Sequence, residues 1–374
     1  MLHHRLFWKF IFPCGAILIS LRTAAMEFRS PEQIAPGQVI FRLDAPAAKV
    51  VFVEGLRHRP PAPMSKDADG LWTATVSDLS PDIYTYTFNV DGVSMLDPRN
   101  RFIKRWTVSQ SAVEVTGTEP TLYANLPVPH GTLHEHLIVS KAAGRELGLQ
   151  VYTPPEYDAR ARKRYPVIVL CHGTGDDELS WTEMGRAHLI ADNLIAKGKM
   201  EPAVVVMPYG HPRPRPLVVP DSYRNDNIAA MEQEVLTEVL PFVEKNYRVS
   251  RDADDRAIAG LSMGGGHALG IGLAHPEIFH WVGGFSASPP NGDLAAFFAP
   301  WAKSVKDKKH APRLLWLAIG REDSLLARNE TATAWLKNAG VPFQWKLTDG
   351  GHEWTLWREY WGEFAPLLFQ KLSP

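Results

Sequence analysis

Three short motifs in the second half of the chain carry side chains that could transfer an acyl group. Gly260-Leu261-Ser262-Met263-Gly264 fits the pattern G-x-S-x-G and is followed by Gly265 and Gly266. The apolar run RAIAGL before the serine reads as a strand, and the small residues after it read as a helix. In that context the glycines permit a sharp, strained turn that holds the hydroxyl clear of the backbone, at the positive end of a helix where an oxyanion is favoured. A turn without chemistry would more simply use Asn or Gly. A serine hydroxyl is unreactive at neutral pH unless a base takes its proton, and an imidazole base needs a carboxylate to fix its tautomer. Both follow downstream, acid before base: Asp323 in Arg321-Glu322-Asp323-Ser324 and His352 in Gly351-His352-Glu353-Trp354.

Competing assignments exist for each role. Glu322 could replace Asp323, although it reads as an exposed loop charge, and Asp349 precedes His352 too closely to reach round it. His267 reads as a helix residue packed on the sheet. His172 ends an apolar run in Leu170-Cys171-His172-Gly173-Thr174-Gly175, where it would orient the following loop by hydrogen bonds. That loop can supply a second oxyanion donor, so the backbone N–H groups of Met263 and Thr174 are expected to converge on the developing negative oxygen. Cys171 reads as a buried filler. The absence of H-E-x-x-H or clustered Cys/His ligands argues against a metal hydrolase, and the serine chemistry needs no cofactor.

These residues must be delivered to one place by the elements around them. The runs PVIVLCHG, AVVVMPYG, RAIAGLS, WVGGFSAS and RLLWLAIG, with FQWKLTDGGH last, alternate with helical stretches after two hairpin strands, LHEHLIVS and ELGLQVYTP. Near-continuous apolar strands alternating with helices predict a mostly parallel sheet covered on both faces, over residues 133–374. One helix is clear from Ile228, Met231, Val235, Val239, Phe242 and Val243 recurring on one side, with Pro241 expected to bend its last turns. Residues 27–118 read differently, as short strands between turns. Alternation in Tyr84-Thr85-Tyr86-Thr87-Phe88 puts the aromatic rings on one face, which predicts a small all-β sandwich. A proline-containing linker at 119–132 joins the two regions.

Composition fits a soluble globular protein, with 45% hydrophobic and 22% charged residues. Residues 1–25 have basic Arg5 and Lys9, then an apolar stretch from Phe10 to Leu21, then Thr23-Ala24-Ala25. This is the layout of a secretory signal peptide, and it predicts a secreted or periplasmic protein with no integral membrane segment after its removal. Removing it takes away three basic residues and no acidic one, moving the formal charge from −1 to −4, and nothing indicates a nucleic-acid partner. Of the two cysteines, Cys14 would leave with the signal, so the mature protein has no disulfide. Oligomeric state is not encoded legibly.

The stretches YPVIVLCHGTGDDELSW, GRAHLIADNLIAKGK, FVEKNYRVSRDADDRAIAGLSMGGGHALGIGLAHPEIF and DGGHEWTLWRE resemble the esterase D-like family. Within it they are most similar to the feruloyl and acetyl xylan esterases of carbohydrate esterase family one. That resemblance implies an α/β-hydrolase fold, a Ser262–His352–Asp323 triad and an acylated polysaccharide or oligosaccharide substrate. It further implies that Trp357 contacts the aromatic acyl group and that Asp221, in VVPDSYRN, lies near its phenolic end. Trp357 could instead pack helix on sheet, and HPRPRPLVVP is an unusual version of the substrate loop. The segment YTYTFNVDGVSMLDPRN resembles early-set modules of carbohydrate-active enzymes; Trp72 and Trp106 could be sugar platforms or simply core. Three rival functions remain: an enterobactin-type siderophore esterase using Arg213, Arg215 and Arg224, a related acyltransferase, and a non-catalytic carbohydrate-binding protein.

Overall fold

The computed structural model describes residues 28–370 apart from 106, 161, 217–219, 221 and 308–310. The proposed signal segment, Trp106 and Asp221 therefore lie outside the described residues.

Eight strands form the larger sheet: β1 Thr132–Ser140, β2 Arg145–Thr153, β3 Val167–Cys171, β4 Val204–Pro208, β5 Arg256–Leu261, β6 Trp281–Phe285, β7 Leu314–Gly320 and β8 Gln344–Thr348. Their order is β1-β2-β4-β3-β5-β6-β7-β8, antiparallel at the β1/β2 and β2/β4 pairings and parallel from β4 to β8. Every residue of β3, β4, β5 and β6 is buried, which is why their sequences run apolar without alternation. Helices α1 (Ala187–Ala196) and α4 (Trp354–Phe364) share one core with Trp181 and Phe285. Helices α2 (Tyr223–Glu234) and α3 (Met263–Ala274) pack on a second core around Val169, Ile258 and Leu269. This is an α/β-hydrolase fold, and among its described residues no helix is long and apolar enough to cross a membrane.

Ahead of Pro241 the helix opens into a π-helical stretch at Val235–Val239. Proline has no N–H to offer the Thr237 carbonyl and its ring crowds that oxygen, so the wider π register relieves the clash one turn upstream.

Residues before the linker form two antiparallel sheets. One orders strands 32–35, 38–44, 71–76 and 65–66; the other orders 62–63, 51–54, 82–90, 110–115 and 103–104. Tyr84, Tyr86 and Phe88 all point into the core between them, with Phe41 edge-on to Tyr86 at 4.8 Å. Trp72 belongs to that core: it is 6% exposed and its indole N–H donates to the Ala45 carbonyl at 2.9 Å. The sandwich is not a free appendage. Ile83 and Ala112 join the same apolar cluster as Trp354 and Trp361, and Asp82 accepts hydrogen bonds from Thr355 and Arg358 of α4.

Candidate active site

Ser262 follows β5 in the middle of the sheet, and Asp323 and His352 follow β7 and β8, so all three emerge at the carboxyl ends of parallel strands. The serine itself carries the strain of the turn, with φ 52° and ψ −116°. A non-glycine residue there costs energy and must be held by its surroundings. The restraints are hydrogen bonds: Ser262 N–H donates to Phe285 O at 2.9 Å, while its carbonyl accepts from Gly266 N at 3.0 Å and Ser288 N at 2.8 Å. The flanking glycines serve a purpose other than left-handed backbone. A Cβ on Gly264 would fall on the carbonyl oxygens of Cys171 and His172, one on Gly260 on the backbone of Gly264, and one on Gly266 on the carbonyl of Ser288. They let α3 sit close against the ends of β3 and β5.

His352 Nε2 lies 2.9 Å from Ser262 Oγ, and His352 Nδ1 lies 2.9 Å from Asp323 Oδ2. The Asp323 side chain is fully shielded and also accepts from Leu325 N–H at 2.8 Å. Burial alone would raise its pKa. The hydrogen bonds from His352 and the Leu325 backbone outweigh burial and hold the carboxyl below its usual range, so it is ionised at neutral pH. An anionic Asp323 fixes the proton on Nδ1 and leaves Nε2 free to accept from the serine. Glu322 and Asp349 stay outside this line; Asp349 is 97% exposed and faces Arg321.

A cavity of about 290 Å³ opens beside Met263, the residue after Ser262, and Thr174, Ser288, Arg215, Tyr223 and Arg224 are among the others that line it. Both residues expected to stabilise the oxyanion thus border the same space. Trp357 does not. It is 6% exposed, meets the His352 ring edge-on at 4.9 Å and packs against Trp354.

Sequence reasoning missed the polar layer under the cavity. His211 Nδ1 lies 3.0 Å from Tyr223 OH, which donates to Arg213 O, so His211 Nδ1 is the donor and its Nε2 accepts from Gly175 N–H at 3.1 Å. His172 Nε2 accepts from Gly210 N–H at 2.7 Å, after β4, and its Nδ1–H donates to Gly173 O at 2.8 Å in the loop that follows it. Asn227 bonds both Gly210 O and His267 Nε2. Apart from the one to Gly173, none of these contacts has a local signature, since each joins residues 10 to 40 positions apart. Asp176 was also overlooked: burial, helped by Asp177, outweighs Lys104 and His352 and raises its carboxyl to about 7. Burial pushes the Cys171 thiol up to about 12, which leaves it inert as a nucleophile. Among the described residues no group of side chains is arranged to hold a metal.

The buried histidines make stability pH-dependent. Burial lowers His172 to about 4 and His211 and His267 to about 3. Between about pH 6.5 and 4 the unfolded chain therefore binds protons that the folded chain refuses, and unfolding free energy falls as pH drops through that window. Asp176 works the other way, taking up a proton in the fold below about pH 7, and offsets about one of these rings. Thermal melts should show a midpoint that declines from pH 6.5 to 4, with the slope reduced by about one proton in His267→Gln. An unchanged slope in that variant would mean that His267 carries its proton in the fold.

A family model described as putative esterase matches residues 140–361. An endo-1,4-beta-xylanase/feruloyl esterase of Xylanibacter ruminicola is 32% identical over 349 residues, covering 89% of this chain and 45% of that protein. The chain spans about half the length of the curated relatives it matches. A solved ferulic acid esterase is 28% identical with a TM-score of 0.51, covering 63% of this chain and 97% of its own. The enterobactin esterase of Shigella flexneri, 19% identical, superposes over 90% of this chain and 95% of its own with a TM-score of 0.62, so its likeness of fold takes in the β-sandwich as well.

Proposed function

Since the chain belongs to the putative esterase family, we propose that it is a serine carboxylic-ester hydrolase that removes feruloyl or acetyl groups from a plant cell-wall polysaccharide such as xylan, after export directed by residues 1–25. The observation that carries this reading is the run of 2.9 Å contacts from Ser262 through His352 to buried Asp323, beside a cavity bordered by Thr174 and Met263. His352 Nε2 takes the Ser262 proton as Oγ attacks the ester carbonyl, forming a tetrahedral intermediate whose oxygen is held by the N–H groups of Met263 and Thr174. The intermediate collapses, His352 returns the proton to the sugar oxygen, and the alcohol leaves. Water, deprotonated by the same imidazole, then attacks the acyl-serine, and the imidazole passes that proton to Ser262 Oγ as the acid leaves. Trp357 assists by bracing the imidazole. The acyl-group choice draws on the relatives that are a feruloyl esterase and a ferulic acid esterase, and the β-sandwich, residues 27–118, borders the catalytic region on its α4 side.

One observation favours a second reading. Arg215 and Arg224 both line the cavity, and paired guanidinium groups suit an anionic aromatic acyl group such as a catecholate ester. A panel of methyl ferulate, acetylated xylan and a catecholate triester separates the two. The first reading expects kcat/KM at least about tenfold higher for ferulate or acetyl-xylan, the size of effect that one lost charge-assisted contact produces. Preference for the triester would overturn the polysaccharide assignment while leaving the mechanism intact.

A further inference from the structure

His352 sits on a connection of five residues, 349–353, between β8 and α4. Its imidazole is one-third exposed, so packing alone does not fix it. Trp354, at the start of α4, packs edge-on to Trp181 of the hydrolase region at 5.2 Å, while several polar contacts to the same turn come from the other region of the chain. Arg57 of the β-sandwich reaches Glu353, the residue next to His352, with Nη1 3.1 Å from Oε2. The same guanidinium contacts Thr355 Oγ1 and places Nη2 2.5 Å from Asp82 Oδ2. Thr355 in turn donates to Asp82 at 2.5 Å, and Arg358, one turn further along α4, donates to the other Asp82 oxygen. Asp82 and Arg358 are each 2% exposed. Arg358 is tied to the hydrolase region as well, donating to Met184 O at 2.7 Å.

We propose that Asp82 and Arg57 are positioning residues for His352, so that the β-sandwich forms part of the frame of the triad. This rests on the esterase reading above. A buried carboxylate bridging two guanidinium groups and a hydroxyl has little freedom to shift, because moving any partner strands a charge out of water. The first turn of α4 is therefore locked to the sandwich, and the base one residue ahead of Glu353 inherits that lock. Two contacts on the hydrolase side, Asp323 on Nδ1 and Trp357 against the ring, set the rotation of the imidazole; the sandwich sets the place of its backbone.

The test uses the full chain. Asp82→Asn, Arg57→Ala and Arg57→Lys are measured for kcat and KM on the best ester, and for the rate at which a fluorophosphonate labels Ser262, at a temperature where near-UV circular dichroism matches wild type. Misplacement of a catalytic group by about 1 Å costs on the order of 100-fold. Asp82→Asn and Arg57→Ala are expected to lose about 10- to 100-fold in both kcat and labelling rate with KM within about twofold, and Arg57→Lys to recover part of the loss. A purely structural link would lower the melting temperature and leave both rates at wild type, and that result overturns the proposal. If Asp82→Asn does not fold, Thr355→Val decides by the same two rates, since it keeps the shape and removes the hydroxyl joining Arg57 to Asp82. A wild type that neither cleaves esters nor labels at Ser262 would remove the esterase reading and this proposal together, whereas unaffected variants of an active enzyme remove the proposal alone.

Discussion

Replacing Ser262 by alanine should lower kcat by more than about 10⁴-fold while leaving ligand affinity within a few-fold of wild type. The hydroxyl is the atom that forms the acyl-enzyme in the proposed mechanism, and it lies within hydrogen-bond reach of His352 Nε2. The Cys171 thiol, at the end of β3, is fully buried and has its pKa raised to about 12. Truncation to alanine removes one oxygen and keeps the Cβ, so the strained backbone and its hydrogen bonds to Phe285 and Ser288 persist. Loss of turnover with retained binding, measured by steady-state kinetics and by calorimetry with the acid product, would separate catalysis from carbohydrate recognition. Residual activity above about 1% of wild type would show that Ser262 is not the nucleophile.

Asp323→Asn is expected to cost about 10⁴-fold in kcat, nearly as much as losing the serine, for a different reason. The carboxylate only accepts hydrogen bonds, so His352 must present a proton on Nδ1. A carboxamide can turn its NH₂ toward that nitrogen, shift the ring proton to Nε2 and leave no lone pair for the Ser262 hydroxyl. The fold should survive, because the amide oxygen can still accept from Leu325 N–H. Glu322→Gln is the matched control. Glu322 is exposed and sits apart from the imidazole, so its variant should stay within about twofold of wild type. If the two variants exchanged their effects, the neighbouring acid that the sequence left open would be the true partner.

The parts of this architecture legible in the chain are those written in local pattern. Strand β5 announces itself as a run of five small or apolar residues, Ala257 to Leu261, and Ser262 follows it directly. Asp323 and His352 are found by the same logic, as loop residues just past β7 and β8. Tyr84, Tyr86 and Phe88 alternate as a half-buried strand must, and they are buried. What escaped notice depends on partners distant in sequence. The Asp82–Arg358 contact spans 276 positions, and nothing near either residue marks it. Trp357 could be read toward the substrate or toward the sheet, since a helix position alone does not say which neighbour its ring meets; one neighbour is the His352 imidazole. The glycines around Ser262 were visible, yet their reason was not. Close approach of α3 to two strand ends is a property of packing, while the sequence offers only the conformational freedom of glycine as an explanation.

The hydrogen-bond chain from Arg213 through Tyr223 and His211 to Gly175 joins the proline-rich segment to the loop that carries Thr174. An acyl group wedged against that segment would tug, through two side chains, on the backbone next to a proposed oxyanion donor. Substrates differing only at the far end of the acyl moiety would then diverge in turnover rate more than in apparent affinity, and chain evolution at 211–216 would retune reactivity along with fit.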